Sequence, residues 1–357
     1  MAGRPLSNRL VVAPMTTSQS HADGSPSEAD ERWLGRLADD GYGVVITCAA
    51  AVSRTSIAFQ RQLSFGDDAL VPALSRLATT LRRPGQLLIA QLCHGGSRAI
   101  PSLTGQPAYS ASRYELSVPG FVPPLELSSN QIEGIIDDFA SAAARASAAG
   151  FDGIEVHGAN GYLQTQFTST MTNTRTDAWG GSLENRGRFA RECVRAIRAK
   201  VPKDFVVGYR MSFEGFGLET GLDLDENVQL MQWLVEDGIS WGHLSAFEFG
   251  ALTRKYPTER LLPYVRSRVA RDLPLIVAGG LKSRGDVEQA LELGADLCSF
   301  ARAAIGNAQL PARLARGDAL AWTPFARARL RDLAVSDAFA SYMTDTFPVS
   351  SMNIVGA

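Results

Sequence analysis

The chain has 357 residues, enough for two domains of average size or for one large barrel. Its 35 Lys and Arg residues nearly balance its 37 Asp and Glu residues. The resulting net charge of −2 excludes a strongly basic surface of the kind that binds nucleic acid or anionic lipid. No apolar run approaches the roughly 18 residues of a membrane span, and the first residues do not resemble a secretory leader. We therefore expect a cytoplasmic globular protein.

Eight short apolar runs recur along the chain, each about as long as a β-strand. They are continuous rather than alternating, which is typical of strands covered on both faces. The runs span residues 9–15, 43–49, 87–92, 153–158, 205–211, 241–246, 275–280 and 295–301. Amphipathic segments that predict helices lie between them, most clearly at 131–149, 184–200, 224–237, 259–271 and 283–293.

The ends of these segments carry residues that begin and end helices. Ser182 and Ser283 stand at N-cap positions, and Gly150, Gly238 and Gly294 stand just after helix C-termini. Repeated strand–helix units favour parallel strands joined by right-handed crossovers. An open doubly wound sheet is the main alternative, but residues 13–17, where the first strand ends, lack its G-x-G-x-x-G turn.

We therefore predict an α/β fold, a single (β/α)₈ TIM barrel, over residues 1–320. Residues 99–127 interrupt the repeat and predict a long loop after the third strand. Residues 321–357 predict a C-terminal extension that packs on the barrel or at a subunit interface.

The C-terminal ends of barrel strands are where reactive groups are expected, and glycines and an arginine follow the last two strands. Gly279 and Gly280 follow the seventh run, and Ala301 and Arg302 follow the eighth. Glycines let backbone N–H groups approach an anion, and an arginine adds a charged fork, so this pattern favours a phosphate site. The alternative is an ordinary turn beside a surface arginine.

Three polar residues follow the fourth run. An imidazole and an amide at His157 and Asn160 could both donate to a ligand oxygen, and the Tyr162 phenol could deliver a proton. The alternative is three loop residues bonded to the backbone. The four histidines and four scattered cysteines have no metal-ligand spacing, so no metal site is predicted.

Arg210 ends the fifth run, where it would point into the barrel mouth. A charge at that depth requires a buried acid or an anionic ligand. Glu155 lies two residues before His157 on the same strand and is one candidate partner. The sequence alone leaves both alternatives open.

Several stretches of the chain resemble the Old Yellow Enzyme family of FMN-dependent ene-reductases. They are NRLVVAPMT at 8–16, AQLCH at 90–94, FDGIEVHGANGYL at 151–163, and the continuation QF at 166–167 with NTRTDAWGGSLENR at 173–186. The similarity covers roughly residues 8–310, the whole predicted barrel.

The resemblance implies one FMN at the barrel mouth, with NADPH or NADH as hydride donor. It places Pro14, Met15, Thr16, Ala49 and Gln91 along the flavin ring and Arg210 near its N1 and O2 atoms. It places Gly279, Gly280, Ala301 and Arg302 at the phosphate.

For the substrate, the resemblance implies that His157 and Asn160 bind a carbonyl oxygen and that Tyr162 is the proton donor. The expected reaction is ping-pong reduction of activated C=C bonds in α,β-unsaturated carbonyl compounds and nitroalkenes. The expected partners are this small-molecule substrate and a second copy in a homo-oligomer. Tyr109 and Tyr114 are candidates for the outer pocket wall.

Other functions stay open as alternatives. A related flavin barrel could act on quinones, nitro compounds or other substrates, or could bind flavin as a sensor without turnover. Larger relatives carry a cysteine-clustered iron–sulfur site, and no such cluster is present in this sequence. A Schiff-base aldolase would need a lysine in the barrel mouth, for which Lys282 is the nearest candidate.

Overall fold

The computed structural model describes residues 3–117, 120–215, 220–346 and 354–355. Eight parallel strands close into a barrel in the spatial order β1-β8-β7-β6-β5-β4-β3-β2. The strands are β1 (Leu10–Val12), β2 (Val44–Ala51), β3 (Leu87–Cys93), β4 (Gly153–Gly158), β5 (Val206–Met211), β6 (Trp241–Ser245), β7 (Leu275–Ala278) and β8 (Leu297–Phe300). Each overlaps one predicted run, so the predicted (β/α)₈ barrel is confirmed.

Helices follow the strands. One helix after each strand is labelled: α1 (Glu28–Asp39), α2 (Val71–Leu81), α3 (Ser129–Ala148), α4 (Leu183–Lys200), α5 (Leu224–Glu236), α6 (Leu261–Arg266), α7 (Arg284–Glu292) and α8 (Arg302–Gly306). Additional helices are Pro101–Thr104, Leu163–Thr168, Leu310–Arg316, Arg327–Asp332 and Asp337–Thr346, and 3₁₀ turns are Arg54–Ser56, Asp68–Leu70 and Gly96–Arg98. No helix of the described residues is both long and apolar enough to cross a bilayer.

Side-chain caps fix where the predicted helices begin. The Ser182 hydroxyl accepts from the Asn185 backbone N–H, and the Ser283 hydroxyl accepts from the Asp286 N–H, as predicted. The third helix begins earlier than predicted because Ser128 and Gln131 form a reciprocal capping box.

The prediction of a helix over 259–271 is too long. The helix there is α6, which ends at Arg266. The Arg266 side chain donates to the backbone carbonyls of Ala270 and Leu273 beyond that point. These bonds satisfy the following turn without further helix.

The lower half of the barrel is filled by apolar side chains. This interior cluster contains Val11, Val44, Ile46, Leu87, Ile89, Val206, Trp241, Ile276 and Leu297. A larger cluster packs the outer strand faces against the helices. Polar side chains therefore gather only towards the C-terminal ends of the strands, as in other barrels of this type.

Two segments lie outside the barrel repeat. In the connection between β3 and α3, Tyr109–Ser110 pairs in parallel with Leu125–Glu126. At the C-terminal end, Phe325–Ala326 pairs with Ile354–Val355. The proposed division at residue 320 stays a prediction, and residues 347–353 and 356–357 of the extension lie outside the described residues.

Candidate active site

The register of the strands brings polar side chains to the same level inside the barrel. Gln91 of β3 pairs with Glu155 of β4, Glu155 pairs with Gly208 of β5, and Gly208 pairs with Trp241 of β6. Side chains alternate between the two faces of a strand, so the residue two positions further on also faces inward. On β4 and β5 these residues are His157 and Arg210, which are register partners.

Glu155 is fully buried at the level of Gln91 and Trp241, below that of His157 and Arg210. Its Oε1 accepts from Gln91 Nε2 at 2.8 Å, and its Oε2 accepts from Trp241 Nε1 at 3.1 Å and lies 2.8 Å from His243 Nδ1. Burial opposes ionisation, but His243, the charge of Arg210 and the Gln91 amide together hold the Glu155 pKa below its usual value. Glu155 is thus a buried anion beneath Arg210.

A glycine makes this network possible. A Cβ at Gly208 would lie 2.1 Å from Trp241 Nε1, so only glycine leaves room for the indole to reach Glu155.

His157 lies one level above Glu155 and next to the reactive tyrosine candidate. Its ring centroid is 5.0 Å from that of Tyr162. Burial, followed by the positive charge of Arg210, lowers the His157 pKa to about 3. The imidazole is therefore neutral near pH 7, and its buried Nδ1 has no hydrogen-bond partner among the described residues. A neutral ring with an open nitrogen is suited to a polar ligand atom.

Tyr162 packs against a small apolar cluster that includes Ala49, Phe59 and Cys93. The Arg98 guanidinium carbon lies 4.5 Å from the centroid of the Tyr162 ring. Burial raises the Tyr162 pKa to about 12, although the charge of Arg98 opposes the shift. The phenol therefore stays protonated well above neutral pH.

Asn160 connects these residues through its backbone. It has a left-handed conformation with φ +60°, which asparagine tolerates better than most residues. Its N–H donates to Ser212 Oγ at 3.2 Å, and its carbonyl accepts from Arg98 Nη1 at 2.7 Å.

A cavity of about 540 Å³ opens at this end of the barrel. Asn160, Arg210 and Arg98 border it on the polar side. The full lining is Ser97, Arg98, Tyr114, Leu116, Phe121, Asn160, Gly161, Arg210, Ser245, Ala246 and Phe247. Apolar and aromatic side chains thus face a charged and hydrogen-bonding wall, as in a small-molecule site.

A second cavity of about 260 Å³ shares Arg210, Ala246 and Phe247 with the first. Its lining includes five predicted residues besides Arg210: Pro14, Gly279, Gly280, Ala301 and Arg302. Ser299 also lines it, and its buried Oγ has no hydrogen-bond partner among the described residues. Glycine backbone, an arginine and an open hydroxyl together make a site suited to an anion.

The structure gives less direct support for the other residues predicted to contact the flavin ring. Met15 and Thr16 are half-buried in the segment after β1. Ala49 is buried beside Tyr162, and Gln91 is buried with its amide nitrogen bonded to Glu155. Their roles at a flavin stay predictions.

The two tyrosines suggested for the outer pocket wall line different cavities. Tyr114 lines the large cavity, and its hydroxyl is 2.6 Å from Ser97 Oγ. Tyr109 lines a different cavity of about 220 Å³, beside Gln131 and Ile135 of α3. The pairing of Tyr109–Ser110 with Leu125–Glu126 places it there.

Two residues that line the cavities were assigned no role from the sequence. Arg98 follows the AQLCH stretch by four residues and could have been found from that proximity. Trp322 lines the small cavity, with its ring centroid 4.9 Å from the Arg302 guanidinium carbon. Nothing in the sequence pattern around Trp322 signals this position. Lys282, the aldolase candidate, is exposed and lines neither cavity.

Comparisons with known proteins identify the family. The model of the NADH:flavin oxidoreductase / NADH oxidase family matches residues 3–320. A probable NADH-dependent flavin oxidoreductase, YqiG of Bacillus subtilis (strain 168), is 34% identical over 84% of this chain and 82% of its own length. NADH:fumarate oxidoreductase of Klebsiella pneumoniae (strain 342) is 33% identical over 89% of the chain, which spans only 35% of that longer protein.

Comparison with solved structures points to the same kind of protein. Morphinone reductase in complex with tetrahydroNAD superposes with a TM-score of 0.80 at 27% identity, covering 93% of both chains. An old yellow enzyme homologue from Zymomonas mobilis superposes with a TM-score of 0.78 at 25% identity, covering 90% of this chain and 92% of that one.

Proposed function

The chain belongs to the NADH:flavin oxidoreductase / NADH oxidase family, which includes the Old Yellow Enzymes, and we propose that it is an FMN-dependent reductase of activated carbon–carbon double bonds. NADH or NADPH would be the hydride donor. The observation that carries the proposal is that the cavity lined by Asn160 and the anion cradle share Arg210, Ala246 and Phe247. The rings of His157 and Tyr162, 5.0 Å apart, belong to the same short segment as Asn160. An α,β-unsaturated ketone, ester or nitroalkene would bind there.

The cradle fits the phosphate of FMN. A Cβ on Gly279 would lie 2.9 Å from the Ala246 carbonyl oxygen and the Phe249 nitrogen, so the two loops can approach this closely only because no side chain is present. Arg302 supplies positive charge, and the Ser299 hydroxyl supplies a donor that has no protein acceptor among the described residues. Arg210 borders both cavities, where its charge would favour an electron-rich ring.

The flavin would supply the hydride that adds to the β-carbon of the substrate. The chain would prepare the alkene by holding its carbonyl oxygen between His157 and the Asn160 side chain. Two donors on one oxygen withdraw electron density from the conjugated double bond and make the β-carbon electrophilic. Since His157 is neutral, this polarisation comes from hydrogen bonding rather than from a charged imidazolium.

Tyr162 would complete the reaction by protonating the α-carbon. Its high pKa keeps the phenol in the form that donates. The balance is one hydride from the nicotinamide and one proton from solvent through Tyr162, giving the saturated product and the oxidised nicotinamide.

An anaerobic titration tests the function. The purified protein, reconstituted with FMN where needed, should be yellow, lose its colour with NADH or NADPH, and regain it with cyclohexenone. Nitroalkenes and maleimides extend the substrate panel. Protein that does not bind FMN, or bound flavin that no member of this panel reoxidises, would contradict the proposal.

A further inference from the structure

The large cavity has a positively charged lining. Its charged side chains are Arg98 and Arg210, and no Asp or Glu of the described residues is among the lining. His157, three residues before the lining residue Asn160, is neutral near pH 7. A ligand in this cavity therefore meets positive charge that no lining side chain neutralises.

The two arginines differ in what opposes their charge. Arg210 lies above the buried Glu155 carboxylate, whose pKa it helps to lower, and its Nη2 donates to Ser245 Oγ at 3.0 Å. Arg210 is thus already paired electrostatically with an acid inside the barrel.

Arg98 has no such acid. Among the described residues, no carboxylate oxygen lies within 4.0 Å of its guanidinium, although 25 ion pairs form elsewhere. Its Nη1 donates to the Asn160 carbonyl, and its guanidinium carbon lies over the Tyr162 ring. A neutral carbonyl and a ring orient the guanidinium without neutralising it, and other N–H groups of the fork stay open to a ligand.

We infer that Arg98 binds a carboxylate of the substrate, so that the preferred substrate is an activated alkene that carries a carboxylate close to its polarised carbonyl. This inference rests on the proposed function. The carbonyl oxygen would be held by His157 and Asn160. The Arg98 fork contacts the backbone of Asn160 itself, so the two recognised groups must be only a few bonds apart. Guanidinium and carboxylate match as paired donors and acceptors.

The test compares two esters that differ by one charge. Monomethyl fumarate has an ester carbonyl and a carboxylate on the same alkene, and dimethyl fumarate lacks the carboxylate. A carboxylate withdraws electrons less than an ester, so the informative quantity is the monoester-to-diester ratio of kcat/KM, which should be higher for the wild-type enzyme than for Arg98→Gln. Arg98→Gln should lower kcat/KM for the monoester by about 10- to 100-fold and reduce the value for the diester much less. Arg98→Lys should recover part of the preference, because it keeps the charge and loses the fork.

A matched control removes one positive charge elsewhere. Arg32 is an exposed residue of α1 that pairs only with Glu28 among the described residues, and it lines neither cavity. Arg32→Gln should leave the ratio of the two kcat/KM values unchanged. A shift equal to that of Arg98→Gln would assign the effect to net charge and overturn the inference.

Binding without turnover gives a second measurement. Monomethyl succinate and dimethyl succinate are saturated and cannot be reduced, so calorimetric titration reports affinity alone. Arg98→Gln should lower the affinity for the monoester only.

The outcomes separate the two proposals. A wild-type enzyme that reduces neither fumarate ester nor any enone would contradict the proposed function. A wild-type enzyme that reduces both esters, with a ratio and a succinate affinity that Arg98→Gln leaves unchanged, would overturn the role of Arg98 and leave the proposed function standing.

Discussion

Tyr162 is the side chain on which product formation should depend most. Tyr162→Phe keeps the ring against Ala49 and Cys93 and removes only the hydroxyl. Loss of a general acid typically slows its step by about 10²- to 10⁴-fold. We expect this slowing in reoxidation of the reduced enzyme by cyclohexenone, measured by stopped-flow absorbance, while reduction by NADH changes little. Equal slowing of both half-reactions would contradict the proton-donor role.

The pH dependence of that same step follows from two shifted pKa values. Tyr162 stays protonated up to its pKa of about 12, and His157 stays neutral above its pKa of about 3. The wild-type rate of enone reduction should therefore be flat over the range between them that can be measured. An inflection near 6.5 or near 10, the ordinary values for histidine and tyrosine, would show that one of these groups is exposed to solvent in the working enzyme.

At this scale, the sequence could group only the candidate residues that lie in one short motif. His157, Asn160 and Tyr162 follow a single strand, so their proximity is local. Arg98 reaches them from the loop after β3, through a bond to the Asn160 carbonyl that depends on the φ of +60°. Spacing from the AQLCH stretch could draw attention to Arg98, but its contact with Asn160 is set by the tertiary structure.

The strands explain why the rest of the site could be partly predicted. In a parallel barrel the C-terminal ends of all strands meet at one face, so residues far apart in sequence converge there. This rule is what led to the prediction of Arg210, of the Gly279–Gly280 turn and of the Ala301–Arg302 turn. The buried network around Glu155 was not, because it depends on register, which sets Gly208 beside Trp241.

Gly279 joins two strand-end loops. It has φ +147°, its carbonyl accepts from the Phe249 N–H at 3.0 Å, and the loop after β6 lies too close for a Cβ. Gly279→Ala should force these loops apart, at a cost of about 1–3 kcal/mol. We expect the FMN dissociation constant to rise about tenfold or more, measured by fluorescence quenching of free FMN.

Gly285 in the first turn of α7 is the matched control. An added Cβ there would approach only Ser283 Oγ, at 3.8 Å. Gly285→Ala should leave FMN affinity unchanged and raise stability slightly, because alanine favours helix. If the two variants bind FMN equally well, the close loop packing at Gly279 has no part in holding the cofactor.

At the scale of the whole molecule, the barrel was predictable because its pattern repeats. Eight apolar runs and their caps each carry the same physical signal, so an error in one helix end does not alter the topology. The excursion after β3 and the extension after residue 320 occur once and have no period. Their contributions, such as Tyr114 at the large cavity and Trp322 at the small one, depend on packing that no local pattern specifies.

Two of the contacts between the extension and the barrel have different expected roles. Trp322 lies against Arg302 at the proposed phosphate site, whereas Phe339 is buried with its ring centroid 5.2 Å from that of Trp33 in α1. Trp322→Ala should raise the FMN dissociation constant about 3- to 30-fold, the range expected for a cation–π contact, with little change in unfolding. Phe339→Ala should instead lower the free energy of unfolding of the apoprotein by about 3–5 kcal/mol.

Denaturant titration of the apoprotein and FMN binding, measured on both variants, distinguish these roles. Because ligand binding itself stabilises a folded protein, the unfolding comparison must be made without FMN. A Phe339→Ala protein that is still folded should bind FMN with near wild-type affinity, since Phe339 lines neither cavity. If Trp322→Ala leaves FMN affinity unchanged, the segment after residue 320 stabilises the barrel without completing its site. If only Trp322→Ala weakens FMN binding, the extension is part of the site. In that case a chain shortened to residues 3–320, the part that the family model matches, should bind FMN more weakly than the full chain.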